Sequence, residues 1–199
     1  MIKSNATKAI TNYKDFYTKT ASQIAEIRAS KNYTDEYKAA AIQKVMDEYR
    51  SKCDSYKAKA IDAVNEIKSG FSDKRQAAIK KGLESAEQIN LLLTGIANNA
   101  YSPDMLKDIT ASMADNPFAL DTIRNALLAS DNEELKAFAA SIPKNNDNGI
   151  MRNLDRISDS LSEVPSPDVD SKNDWNVGFY QNGTTFDGWI SYIDGSIEE

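Results

Sequence analysis

Residues 6–27 read ATKAITNYKDFYTKTASQIAEI. Within them Ala6, Ile10, Tyr13, Tyr17, Thr20, Ile24 and Ile27 stand 4, 3, 4, 3, 4 and 3 apart, the a/d spacing of a heptad seam with one polar member. A helix built on that seam carries one apolar stripe along its length and needs a partner helix to cover it. Neither glycine nor proline occurs in residues 1–69, so no strong helix breaker interrupts the pattern. Asn32-Tyr33 offers a short break. Thr34 then supplies an N-cap, followed by Asp35 and Glu36, whose charges favour a helix N-terminus.

Downstream the period changes. Ile42, Val45, Tyr49, Cys53, Tyr56, Ala60, Val64, Ile67 and Phe71 repeat every 11 residues rather than every 7, which gives a straight or slightly right-handed stripe. A helix over 34–69 would be about 54 Å long at roughly 1.5 Å per residue. The two stripes predict an elongated antiparallel coiled-coil hairpin. At Gly70 the helix either kinks or breaks, and Ile79, Leu83, Ala86, Leu93 and Ile96 carry an apolar face onward to about residue 97.

Beyond Asn98-Asn99 the texture is that of a small helical bundle. Ser102-Pro103-Asp104 and Asn116-Pro117 each place a capping residue before a first-turn proline, and Asp131-x-x-Glu134 has the form of a capping box. Three helices are predicted, over 103–114, 117–129 and 132–141. Their core is drawn from Leu106, Ile109, Met113, Phe118, Leu120, Ile123, Leu127, Leu135, Phe138 and Ile142. A polar loop, Lys144 to Gly149, leads to a further seam at Ile150, Leu154, Ile157, Leu161 and Val164.

Pro165-Ser166-Pro167 ends that helix. The tail holds both tryptophans and half of the glycines, and Asn182-Gly183 has the form of a two-residue hairpin turn. The expectation is a mainly α chain with a short C-terminal β-hairpin. It divides into a helical hairpin over 1–98, a compact helical region over 99–164 and an acidic, aromatic tail over 165–199. Removing residues 166–199 is expected to leave the helices folded.

Composition narrows the chemistry. With no histidine and one cysteine, the chain lacks Ser-His and Cys-His nucleophile pairs, His-ligated zinc, intramolecular disulfides and Cys-pair metal sites. Cys53 falls on the apolar stripe and reads as a small packing residue. Lys144–Gly149 with Asp155, and Asp168 and Asp170 with Asp174, superficially suggest calcium loops. Lysine occupies the first ligand position of the former, and the latter is a proline-flanked acidic linker. No phosphate-binding glycine loop is present. The chain is expected to be no enzyme and to need no cofactor or metal.

The formal charge of −6 is unevenly distributed. Residues 1–98 hold 17 Lys+Arg against 12 Asp+Glu, a balance of +5, and residues 99–199 hold 7 against 18, a balance of −11. Such bipolarity favours head-to-tail contact between copies or a basic partner for the acidic end. Nucleic-acid binding would draw on Lys52, Lys57, Lys59, Lys68, Lys74, Arg75, Lys80 and Lys81, but Asp54, Asp62, Glu66 and Asp73 are interleaved with them. The Ala- and Tyr-rich stripes suit helix packing better than a bilayer, and no stretch reaches 18 apolar residues. Met1-Ile2-Lys3-Ser4-Asn5 lacks the apolar core of a signal peptide, so a chain that is cytoplasmic or released without a classical secretion signal is expected.

Tyr37-Lys38-Ala39-Ala40-Ala41-Ile42-Gln43-Lys44-Val45 and Tyr56-Lys57-Ala58-Lys59-Ala60, followed by a compact helical middle and a glycine- and aromatic-rich end, give the chain its style. In this it resembles tailed-bacteriophage structural and assembly proteins. The resemblance implies a scaffold, head-associated, connector or tail component, in the virion or in the host cytoplasm during assembly, without choosing among them. The acidic C-terminus departs from the basic coat-binding end of scaffolding proteins and favours a resident virion part. No residue roles transfer with the likeness.

The leading expectation is therefore a non-catalytic, homo-oligomeric structural component. Self-association is assigned to Ile10, Tyr13, Tyr17, Ile24, Ile42, Val45, Tyr49 and Tyr56. Docking to other structural proteins is assigned to Trp175, Phe179, Tyr180, Phe186, Trp189 and Tyr192, through an aromatic face or added strands. The alternative is a helical regulatory protein that binds nucleic acid or a host factor through the basic N-terminal half.

Overall fold

A computed structural model describes residues 2–170, 172 and 174–197. Among the described residues the chain forms nine α-helices and no strand. Chain contacts divide it into two compact units, residues 1–69 with 150–199 and residues 70–149. The compositional segments 1–98, 99–164 and 165–199 divide the chain elsewhere, because texture follows the local sequence whereas the units follow packing.

The first unit is built on α1 (Ile2–Ala29) and α2 (Asp35–Glu84), of which it takes the part up to Ser69. The heptad seam of α1 is buried at Ala6, Ile10, Tyr13, Tyr17, Thr20 and Ile24, and Ile27 is half-buried. The Thr34 hydroxyl accepts from the Tyr37 N–H at 3.3 Å and caps α2 as its sequence predicts. Rings set the register between the two helices. Phe16 stacks on Tyr49 (centroids 5.3 Å, 9°) and on Tyr56 (4.6 Å, 13°), and Tyr17 meets Tyr49 edge-on at 6.2 Å. Tyr13 lies beside Cys53 whereas Tyr17, one turn later in α1, meets Tyr49, one turn earlier in α2, so the helices run antiparallel.

α7 (Asp147–Ser162) enters this unit from Ile150 and buries Leu154, Ile157 and Leu161. The Lys57 ammonium donates to the Ser162 carbonyl at 3.0 Å, and Lys68 pairs with Asp155 at 2.6 Å, so α7 also runs antiparallel to α2.

The tail departs from the predicted hairpin. Residues 174–197 form two helices, α8 (Trp175–Gln181) and α9 (Thr184–Ser196). Asn182-Gly183 does turn the chain, and Gly183 takes the left-handed φ of +82°, but Asn182 stays at −90°. A two-residue hairpin of the predicted type needs positive φ at both positions, whereas a helix end needs it only at the residue beyond the cap. Asn182 and Gly183 donate to the carbonyls of Gly178 and Tyr180, each at 3.0 Å, closing α8. The Asn182 side chain then accepts from the Thr184 N–H at 3.0 Å, opening α9. Beyond the turn, the buried Phe186, Ile193 and Ile197 and the half-buried Trp189 and Ile190 recur with the helical period, which outweighs the turn signal.

α9 lies antiparallel along α1, whose backbone approaches α9 and α8 more closely than it approaches α2. Lys14 pairs with Asp187 at 2.6 Å, Thr7 donates to the Asp194 carboxylate at 2.9 Å, and Lys3 donates to the Asp194 carbonyl at 2.6 Å. Phe186 is fully buried and meets Tyr13 at 5.4 Å, Tyr17 at 5.7 Å, Tyr180 at 6.0 Å and Trp189 at 5.2 Å. The tail is therefore part of the core, and removing residues 166–199 would strip the Phe186 cover from Tyr13 and Tyr17.

The second unit takes α2 from Gly70 onward, then α3 (Ala86–Ala97), α4 (Pro103–Ser112), α5 (Pro117–Leu128) and α6 (Glu133–Ala139). α2 runs through Gly70 unbroken. A single glycine costs about 1 kcal/mol in a helix interior, which a helix of 50 residues absorbs. The break falls instead at Ser85. The apolar face that follows is Ile89, Leu92 and Ile96; Leu83, expected on it, is 66% exposed. The core joins Leu92 and Ile96 to Leu106, Leu120, Ile123, Leu127, Leu135, Ala139 and Ile142, with Tyr101, Ile109, Met113 and Phe138 packed against it.

Ser102 and Asn116 cap α4 and α5 as predicted, accepting from Met105 and Ala119 at 3.3 and 3.1 Å. The third cap is Asn132 rather than Asp131; its oxygen accepts from Glu134 and Leu135 at 2.9 and 3.4 Å. Phe118 stays exposed, lying over Gly82, where a β-carbon would strike its ring.

Phe186→Ala should cost about 3–5 kcal/mol, because it opens a cavity among four rings. Urea unfolding followed by circular dichroism should show the midpoint falling accordingly, and an unchanged midpoint would contradict the placement of Phe186 in the core.

Candidate docking surface

Of the residues assigned to self-association, Ile10, Tyr13, Tyr17, Ile24 and Tyr49 are buried by the chain's own helices, and Ile42, Val45 and Tyr56 are half-buried. The first five are core, so they cannot meet a second copy in the folded state. The stripe on α2 also buries Met46, which the 11-residue spacing passes over.

The six tail aromatics separate into two groups. Phe186 is core, Tyr180 and Trp189 are half-buried against it and meet each other at 6.1 Å, and Tyr192 is half-buried. Trp175 and Phe179 face outward, 70% and 42% exposed. They stand one helical turn apart on α8 and meet edge to face, centroids 5.5 Å apart at 80°. Their platform is fixed. Asp174 caps α8 by accepting from Asn176 at 3.0 Å, Val177 is buried, and the Gln181 amide donates to the carbonyls of Pro167 and Val169 at 3.2 and 2.8 Å.

A second surface lies on another face of the same unit. Asn5, Lys8, Asn12 and Lys19 of α1 and Lys59 and Ala63 of α2 frame an open groove of about 780 Å³, with Phe16 and Tyr56 among its lining residues. Lys8, Lys19 and Lys59 are exposed, and among the described residues none of them enters an ion pair; Asp15 is the acid on the rim. By contrast, four of the eight basic residues of α2 named as phosphate contacts are engaged within the chain. Lys57 holds Ser162, Lys68 holds Asp155, Arg75 donates to Asn148 at 3.1 Å, and Lys81 pairs with Asp115.

The chemistry buried in the first unit is phenolic. The Tyr13 hydroxyl lies 3.8 Å from the buried Cys53 sulfur. Burial pushes Tyr13 and Tyr49 far above the ordinary tyrosine range, with the neighbouring Cys53 adding to it, and burial does the same to Tyr17. The Tyr17 hydroxyl is buried with no hydrogen-bond partner among the described residues. The described acids are all at least partly exposed, and Lys81 beside Asp115 holds that carboxyl below its usual range.

Among the described residues, no three of His, Cys, Asp and Glu converge as a metal site. The suspected calcium loops serve the backbone. Asp121 accepts from the Asn145 N–H at 3.4 Å and Asn145 from that of Asp147 at 2.8 Å; Asp170 accepts from the Lys172 N–H at 3.0 Å. Ser171 and Asn173 of the latter segment lie outside the described residues.

Two measurements probe the tyrosine layer. Unfolded tyrosine ionises near pH 10, whereas the folded state keeps Tyr13, Tyr17 and Tyr49 protonated to higher pH. Their contribution is therefore complete below pH about 10 and is lost as pH rises above it. Near-ultraviolet titration should show these tyrosinates appearing together with unfolding. Tyr17→Phe should raise stability by about 1 kcal/mol, since it removes an unsatisfied buried hydroxyl; a comparable loss in urea unfolding would show that the hydroxyl has a stabilising partner.

In comparisons with known proteins, no family model, curated protein or solved structure matches this chain, and the residues and their geometry alone carry the functional reading.

Proposed function

We propose that this chain is a non-catalytic structural component of a larger assembly, of the phage-virion kind that its helices resemble, and that it joins its neighbour through Trp175 and Phe179. The observation that carries this reading is a tryptophan 70% exposed on a firmly anchored helix, braced by a second exposed ring. Large aromatics supply most of the binding energy in protein interfaces, and a fixed platform spares the entropy of ordering them on contact. In this reading the α1–α2 hairpin is a coiled-coil-like stem that holds the docking helix in place. The protein acts in the virion, or in the host cytoplasm during assembly. No helix among the described residues is long and apolar enough to cross a membrane.

The nucleic-acid alternative is weakened by the intrachain contacts of Lys57, Lys68, Arg75 and Lys81, which remove half of its eight proposed phosphate contacts.

Trp175→Ala with Phe179→Ala should cost about 2 kcal/mol or more of docking energy, roughly thirtyfold in affinity. In lysates of producing cells, the wild-type chain should sediment in the fraction of large particles and the double variant at the mass of the free 22.0 kDa chain. Wild-type protein found only at the free-chain mass would overturn the assembly reading.

A further inference from the structure

We propose that the first neighbour of the chain is a second copy of itself, added head to tail: the Trp175–Phe179 edge of one copy seats in the lysine-rimmed groove between α1 and α2 of the next. This rests on the assembly reading and names its partner.

Charge selects the occupant. The groove presents Lys8, Lys19 and Lys59 against Asp15. The segment around Trp175 is opposite in sign: Asp168, Asp170 and Asp174 precede it with Lys172 as the single base, and no further base follows to the C-terminus. Opposite fields of this kind steer encounter and fix orientation. Ring chemistry selects the contact. Phe16 and Tyr56, stacked at 4.6 Å, line the groove and offer an aromatic surface to an incoming indole, for which edge-to-face and offset arrangements are favourable. Ammonium groups on the rim also suit the face of a tryptophan.

Geometry excludes self-occupancy. Lys3, Thr7 and Lys14 of α1 hold α9, whereas Asn5, Asn12 and Lys19 face the groove. At about 100° per residue these two sets lie roughly 180° apart around the helix. α1 therefore stands between a copy's own α8–α9 pair and its own groove, and only another copy can bring the two surfaces together. Added head to tail, copies meet through unlike surfaces, so the contact is heterologous and every addition leaves a free groove at one end and a free edge at the other.

The test uses the purified 199-residue chain in sedimentation velocity over a range of concentration and salt. Wild type should form a concentration-dependent series that shortens as salt rises. The docking variant, Trp175→Ala with Phe179→Ala, and the groove variant, Lys8→Glu with Lys19→Glu and Lys59→Glu, should each weaken association at least tenfold. All five positions are exposed, and circular dichroism checks that both variants keep the wild-type helix content. Mixed together, the variants retain one good groove and one good edge, and should form a complex of two chains that grows no further. Association that survives either set of substitutions, or a mixture that gives no two-chain complex, overturns the proposal. A wild type that stays monomeric alone yet still enters large particles through Trp175 and Phe179 overturns the self-partner and leaves the assembly reading standing. Lysine-dependent retention of a single-stranded oligonucleotide without self-association overturns it in favour of a polyanion.

Discussion

The insertion of Phe186 into the tyrosine layer of α1 is the contact on which the first unit depends. Tyr13 and Tyr17 bury completely although each carries a hydroxyl, and they do so because a ring from the far end of the chain covers them. Without that ring, the apolar seam of α1 would face only the aromatic stack on α2, and the heptad spacing would call for a second chain. With it, the seam is satisfied internally. Trp175 and Phe179, and the lysine-rimmed groove of the same unit, remain exposed.

Much of this organisation is legible in the residues. The α1 seam, the α2 stripe from Tyr49 to Ile67 and the α7 seam are periodic over several turns, and periodicity of that length reports a buried face whatever covers it. The Ser102 and Asn116 caps are equally readable, because a capping side chain before a first-turn proline is a local device that needs no tertiary support. What periodicity does not report is the identity of the cover. An amphipathic stripe reads the same whether its partner is another copy or a distant segment of the same chain, and that is why Ile10, Tyr13, Tyr17, Ile24 and Tyr49 read as an association surface and fold as a core.

The tail shows a different limit. Asn182-Gly183 is a strong turn signal, and the turn is there, with Gly183 at positive φ. The same dipeptide can end a helix or close a hairpin, and the choice rests on which period the flanking apolar residues keep. Phe186, Trp189, Ile190, Ile193 and Ile197 keep the helical one. Leu83 and Phe118 missed their expected places for a packing reason: Ser85 ends α2 and α3 presents a new face, while Phe118 closes over Gly82 at the surface instead of entering the centre. Among the tail aromatics, composition marks all six alike, and only the docking of α8 and α9 separates the core ring from the exposed pair.

The first unit is assembled from both ends of the chain, with residues 70–149 inserted between its two parts. Synthesis therefore delivers the inserted unit complete before the cover of α1 exists, because Phe186 leaves the ribosome well over a hundred residues after Tyr13 and Tyr17. Throughout that interval the side of Tyr13 and Tyr17 that Phe186 later covers is open to the solvent and to other nascent chains. Closure over so long a sequence separation is slow, and the exposed interval is where misassembly competes. The order of translation thus makes α9 the helix that ends the vulnerability of α1.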